Sequence, residues 1–514
     1  MTKIFDKKFL LIVLFYTLSY GLILMNKGIY WDDWTLFNTD KTVIIGTFNY
    51  LGIPWLGFVY AAFLALPHAI LIHRIFVFLS FLISVLSLSL ILKKYRIISD
   101  EARFYIVVFF ALFPVNSVRV AFISSLYTFC YVIFFISFWL LSEYLSKRKL
   151  VLRILSLFLF FISFFTSSIL FFYILCLFHI WYSESKKSLR FNNVVNTVIK
   201  YLDFLFLPLL FWLIKGIYLK SIFLYEGYNS IKLVYFLYSP LNFFISFYEA
   251  FIKPFLSMKL SPFLLLDTLG VYYLMKRYRP FKNQVTYIEN KIFLFAGIVS
   301  FFVAVFPYIL VGKVPSSYDW SGRLQLLIPL SSGFFIYSSI NFIQKRAHLK
   351  DSIRLLLFSL LIAFFIQTNF ESFLMFQKDW YKQVSLINNI KQNGVIKKNN
   401  TFIFEDNMTV LNANRRIYRF YEYNSLMKYA FGDEKRLGMN ALKPVDLAGL
   451  KNYEYYSMKD YKKKDFEYKI IINQGEVNLT DQKTVQLMAE ELFFPSIFDK
   501  EVDKIIELDV IKVN

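Results

Sequence analysis

The 514 residues are 57% hydrophobic and 21% aromatic, with 62 phenylalanines, which excludes an ordinary soluble enzyme and a disordered chain. The net charge of +21 invites a nucleic-acid reading, but beyond Glu371 only +2 of it remains, from 22 Lys/Arg against 20 Asp/Glu. The other +19 lies among apolar runs, mostly in alternate short loops, which is the positive-inside pattern of a polytopic membrane protein.

Apolar runs of about 17–25 residues have the length that crosses a bilayer. Lys7 and Lys8 precede a first span at about 9–25, placing the N-terminus in the cytoplasm. Lys3 to Lys8 before an apolar run mimics a signal peptide, but no small-residue cleavage site follows, so the run reads as a retained span. The outer loop behind it carries Tyr30-Trp31-Asp32-Asp33-Trp34. Indole rings suit the headgroup zone, being apolar with one N–H to satisfy. Two carboxylates held there serve as a general base or as metal ligands; the plainer reading is a solvated loop with aromatic anchors.

Residues 42–70, with Gly46, Gly52, Pro54, Gly57 and Pro67, read as interfacial helices. Span two (about 72–92) returns to Lys93-Lys94-Tyr95-Arg96, and span three (about 103–115) stops at Pro114. Span four (about 119–143) exits at Lys147-Arg148-Lys149, and spans five (about 152–165) and six (about 167–183) return as a hairpin to the basic run 186–190. Span seven (about 199–219) leads out to residues 220–258, read as interfacial helices carrying Glu226, Glu249 and Lys253. Span eight (about 260–275) ends at Lys276-Arg277-Tyr278-Arg279, and span nine (about 291–311) reaches Tyr318-Asp319-Trp320-Ser321-Gly322-Arg323. Span ten (about 324–343) comes back to Lys345-Arg346, and span eleven (about 353–370) leaves again.

The expected fold is an α-helical polytopic membrane protein of about 11 transmembrane helices with a small C-terminal α/β extracytoplasmic domain. The boundary falls between a transmembrane domain, 1–373, and a soluble domain, 374–514. In the latter, 378–393 and 414–429 read as helices, and 401–404, 468–472, 484–493 and 505–513 as strands. It carries no Gly-rich phosphate loop, no histidine and no nucleophile elbow, so it reads as a lid, an acceptor-docking module or a passive cap.

Few ionisable residues fall inside spans: Glu143, Asp203, Lys215 and Asp267, mostly near span ends. The lack of a central acid or histidine relay weighs against a proton-coupled transporter. Cys130 and Cys176 lie in apolar runs, which removes a Cys-type zinc site, and His68, His179 and His348 read as structural. The outer face instead gathers Asp32, Asp33, Arg119, Glu226, Asp319 and Arg323, with His73 and Arg74 opening span two. Arginine grips phosphate with two N–H groups and keeps its charge when desolvated. Arg74, Arg119 and Arg323, with Glu226 and Asp319, therefore form the expected substrate-binding set; each arginine alone also reads as a headgroup anchor.

Ile29-Tyr30-Trp31-Asp32-Asp33-Trp34 after the first span resembles the acidic motif of the glycosyltransferase C superfamily, integral membrane enzymes that take a sugar from a polyprenyl-phosphate donor. The interfacial helices that follow, the Pro-ended third span, the outer Ser321-Gly322-Arg323-Leu324 and a soluble domain after the last span extend the likeness. The chain departs from certain bacterial branches at Phe165-Thr166-Ser167-Ser168, where an acidic residue is expected.

The resemblance implies that Asp32 or Asp33 is the catalytic base for an inverting transfer. The other Asp orients it or binds a divalent metal ion, and Arg119 and Arg323 stabilise the departing polyprenyl phosphate. It implies a polyprenyl-phosphate-sugar donor, a cell-surface glycan or glycolipid acceptor and a multi-pass location in the cytoplasmic (inner) membrane, with no nucleic-acid partner. A surface-polysaccharide polymerase or ligase, which relies on outer-loop arginines, and a lipid-linked sugar flippase or transporter are the alternatives.

Overall fold

The computed structural model describes residues 7–37, 39–185, 191–222, 226–227, 229–258, 260–278, 287–441 and 466–513. The basic run 186–190, Arg279 and Lys3, on which part of the expected topology rests, lie outside the described residues. The described residues are 74% helical and form one small mixed sheet.

Five helical stretches are long and apolar enough to cross a bilayer: Lys7–Met25, Ala69–Leu92, Phe122–Lys147, Glu289–Ile309 and Asp351–Gln392. The pair Asp319–Gln325 and Pro329–Arg346, bent by 71°, makes a sixth if taken as one span. These are the helices of a membrane protein, but among the described residues five or six have full length where eleven were expected. Several expected spans are shorter, including the 13-residue helix Asp100–Leu112. Every residue from Phe104 to Leu112 is buried, because a helix apolar all round belongs at the centre of a bundle. Ser99 caps its first turn by accepting from Ala102 N–H (3.2 Å). Helix Pro329–Arg346 packs so closely on it that a Cβ at Gly333 would lie 2.5 Å from the Ile106 carbonyl oxygen.

The expected eleventh span and the separate helix at 378–393 are one unbroken helix, Asp351–Gln392. It contains neither Pro nor Gly, so Glu371, which marks the edge of the apolar run, does not end it. At 1.5 Å per residue its 42 residues extend about 60 Å, twice the hydrocarbon thickness. The boundary at 373/374 thus falls inside a rod whose far half is the backbone of the C-terminal unit.

There Tyr381, Leu386, Ile387 and Ile390 of the rod pack on Phe402, Phe404, Ile470 and Ile472 of a sheet. Its strands are β1 (Thr401–Asp406), β2 (Leu437–Asn440), β3 (Tyr468–Gln474) and β4 (Ile506–Lys512), in the order β2-β1-β3-β4. β1 runs parallel to β2 and β3, and β4 antiparallel to β3. The strand expected at 484–493 is a helix, Asp481–Phe493. Thr480 accepts from Lys483 N–H as its N-cap, and Thr484, Leu487 and Met488 recur on one buried face at helical spacing.

Candidate active site

The loop after the first helix joins three apolar cores formed among the described residues. Tyr30 and Trp31 belong to the membrane bundle, Ile29 and Trp34 to the C-terminal unit, and Leu36 to a small cluster around helices Lys41–Tyr50 and Pro54–Leu64. The indoles are therefore not headgroup anchors: Trp31 and Trp34 are 3% and 2% exposed, buried against protein. Tyr30 Oη donates to the Phe376 carbonyl (2.6 Å) and Asn26 Nδ2 to Gln377 Oε1 (3.0 Å), which fastens the loop to the rod.

The two adjacent carboxylates sit in different surroundings. Asp33 is 1% exposed and its oxygens accept backbone N–H groups: Ile123 on Oδ1 (2.7 Å), Phe122 and, more weakly, Tyr30 on Oδ2 (2.7 and 3.4 Å). Burial pushes its pKa up to about 7, against the pull of those N–H groups and of Arg74. Arg74, expected to hold phosphate, is instead a brace. Its guanidinium donates to the carbonyls of Asn26 (3.1 Å), Gly28 (2.6 Å) and Val120, and it meets His73 Nδ1 (3.0 Å). Asp33 and Arg74 thus tie the first loop to the turn at 120–123.

Asp32, by contrast, is partly exposed. Tyr421 Oη donates to its Oδ1 at 2.6 Å, and Arg323, Arg419 and Asp319 act on it electrostatically. Burial raises its pKa, opposed by the Tyr421 hydrogen bond and the two arginines. Trp31 Nε1 donates to Asp319 Oδ1 (2.7 Å), and Arg419 pairs with Asp319 Oδ2 (3.4 Å). Arg323 lies over the Trp320 ring (4.6 Å) and donates to its carbonyl (2.9 Å). Trp31 and Asp319 both hold positive φ, 50° and 46°, a strained state for side chains of this kind that persists where surrounding contacts enforce it. A Cβ on Gly322 would meet Val118 at 2.8 Å, so only glycine lets the Asp319–Gln325 turn close on the turn at 117–120.

Of the expected residues, the structure brings Asp32, Asp319 and Arg323 together. Arg119 lies inside the bundle, its guanidinium 3.9 Å from the Tyr20 ring and 4.4 Å from that of Phe81. Glu226 is exposed, and no hydrogen bond or ion pair among the described residues joins it to the cluster. Inside the apolar segments, Glu143 pairs with Lys94 and Lys147, Asp203 with Arg153, and Lys215 donates to Ser167, so these charges are locally satisfied. The carboxylates do not make a metal-ligand set: Asp33 is taken up by N–H groups, Asp319 by Trp31 and Arg419, and no group of three His, Cys, Asp or Glu gathers among the described residues.

Arg419 and Tyr421 were not foreseen. They come from the start of helix Phe420–Phe431, nearly 400 positions from Asp32, in a unit with no motif. A buried chain holds them there. Asp379 of the rod binds Arg416 (2.7 Å) and Tyr418 (2.6 Å); Arg416 pairs with Glu422, and Glu422 accepts from Arg419 N–H (2.9 Å). The chain matches no protein-family model and no curated protein sequence.

Proposed function

We propose that the protein is a membrane glycosyltransferase that moves a sugar from a polyprenyl-phosphate donor to a cell-surface glycan or glycolipid on the outer face of the cytoplasmic membrane. The observation that carries this reading is a partly exposed carboxylate, Asp32, faced by two arginines from different parts of the chain, at the place where long apolar helices give way to a soluble unit. Desolvation raises its pKa, which makes it a stronger base than a free carboxylate. Asp32 accepts the acceptor's hydroxyl proton as that oxygen bonds to the anomeric carbon. The bond from that carbon to the phosphate oxygen breaks, its electron pair stays on the phosphate, and attack from the opposite face inverts the configuration. Arg323 and Arg419 neutralise the phosphate that departs.

The basic loops support eleven crossings, with the N-terminus in the cytoplasm and the C-terminal unit outside. On this reading Asp33 and Arg74 are scaffold, and the C-terminal unit forms one wall of the site. The test uses purified protein in lipid nanodiscs with radiolabelled polyprenyl-phosphate hexose and glycolipid extract as acceptor. Release of polyprenyl phosphate together with label in the extract supports the reading. Tight binding of the donor with the label left on the lipid, or carried intact across a vesicle membrane, would replace it with a carrier.

A further inference from the structure

We propose that the C-terminal unit supplies a positioning residue to the site: Tyr421, whose hydroxyl fixes Asp32 Oδ1 and so presents Oδ2 to the acceptor. The proposal rests on the reading of Asp32 as base. Its geometric basis is the 2.6 Å hydrogen bond from Tyr421 Oη, which spans the junction between the first loop and the C-terminal unit. A carboxylate on a single methylene still turns about its two side-chain bonds unless one oxygen is held, and a base is effective only when its lone pair meets the proton it removes.

The holder is itself held. Tyr421 stands in the first turn of helix Phe420–Phe431, whose start is locked by Glu422 accepting from Arg419 N–H. Glu422 is bound by Arg416, and Arg416 by Asp379 on the rod, all three fully buried. The rod also anchors the loop through Tyr30. Asp32 and Tyr421 are thus referred to the same helix, which sets their separation more tightly than two independent domains would. Burial and the neighbouring Asp32 both raise the Tyr421 pKa, so it stays a phenol and a donor at neutral pH.

The charged and titratable groups facing Asp32 are Tyr421 and Arg419 from the C-terminal unit, Asp319 and Arg323 from the 3-10 helix, and Asp33 on its own loop. Among them Tyr421 makes the direct hydrogen bond, and it favours the ionised carboxylate. Removing it therefore raises the Asp32 pKa.

The experiment compares wild type, Tyr421→Phe, Asp32→Asn and the double variant in nanodiscs with polyprenyl-phosphate hexose as donor and the glycolipid extract as acceptor. It also follows carbodiimide labelling of Asp32 against pH by peptide mass spectrometry. The proposal expects Tyr421→Phe to lower kcat on the order of tenfold to a hundredfold with KM for the donor unchanged. The pH at which Asp32 is half-labelled moves upward, and in the double variant Tyr421→Phe adds nothing to the loss already caused by Asp32→Asn. A Tyr421→Phe variant with lower Tm but an unmoved labelling curve and unchanged kcat makes the tyrosine merely structural and overturns the proposal. Full transfer by Asp32→Asn overturns the underlying reading instead, and the labelling curve distinguishes the two failures because it needs no turnover.

Discussion

Two polar clusters lie within one loop of each other, and they are built in opposite ways. Around Asp33 and Arg74 the charged groups are buried and matched: the carboxylate accepts from backbone N–H groups and the guanidinium donates to three carbonyls. Around Asp32 the groups are partly exposed and the carboxylate's own contacts fewer: one phenol at 2.6 Å, beside an Asp319 held by Trp31 at 2.7 Å and by Arg419 at 3.4 Å. A buried charge is tolerated when its partners are complete, and such a cluster serves as a fastening. A partly desolvated carboxylate with charges nearby but lone pairs to spare is suited to chemistry. Adjacency in sequence says nothing about which is which; the two neighbours simply point into different surroundings.

The largest effect expected from this contrast is on Asp32. Asp32→Asn removes the base and should reduce transfer about a thousandfold, read as polyprenyl phosphate released, while leaving Tm within a degree or two of wild type. Next come the arginines. Arg323→Gln and Arg419→Gln should each lower kcat about a hundredfold, because they meet charge that grows as the phosphate leaves. A rise in KM at constant kcat would assign them to ground-state binding instead.

Asp33→Asn reverses the pattern. The amide nitrogen turns a donor toward Phe122 or Ile123 N–H, so the loss is about 2 kcal/mol of stability, measured as a lower Tm in detergent, with transfer retained well below that Tm. The smallest effect is in pH. Asp32 must be ionised to act, and burial holds its pKa above the ordinary carboxylate value, so activity should fall on acidification at a pH higher than a free carboxylate would give. An acid limb at or below the ordinary value would assign the proton acceptor to another group.

The long apolar runs and the acidic loop were legible because length, composition and adjacency are local properties. The halves of the site that lie far apart were not. Asp319 and Arg323 were found as an outer loop, but Arg419 and Tyr421 carry no motif and reach Asp32 only through folding of the rod. The count of eleven spans is matched by only five or six full-length helices among the described residues; a helix such as Asp100–Leu112 is short and buried in protein, and apolar composition looks the same against lipid or neighbours. The two indoles were misplaced for the same reason: Trp31 and Trp34 are apolar enough for a headgroup zone and equally for a core. Helix Asp481–Phe493 was read as a strand because Thr484 and Val485 favour strands, whereas its buried face repeats at helical spacing.

The most direct test sets Asp32→Asn beside Asp33→Asn in the same nanodisc preparation, scoring release of polyprenyl phosphate at low temperature and thermal unfolding. The account predicts a well-folded, inactive Asp32→Asn and a less stable but active Asp33→Asn. An active Asp32→Asn beside a stable, inactive Asp33→Asn would exchange the two roles and contradict it.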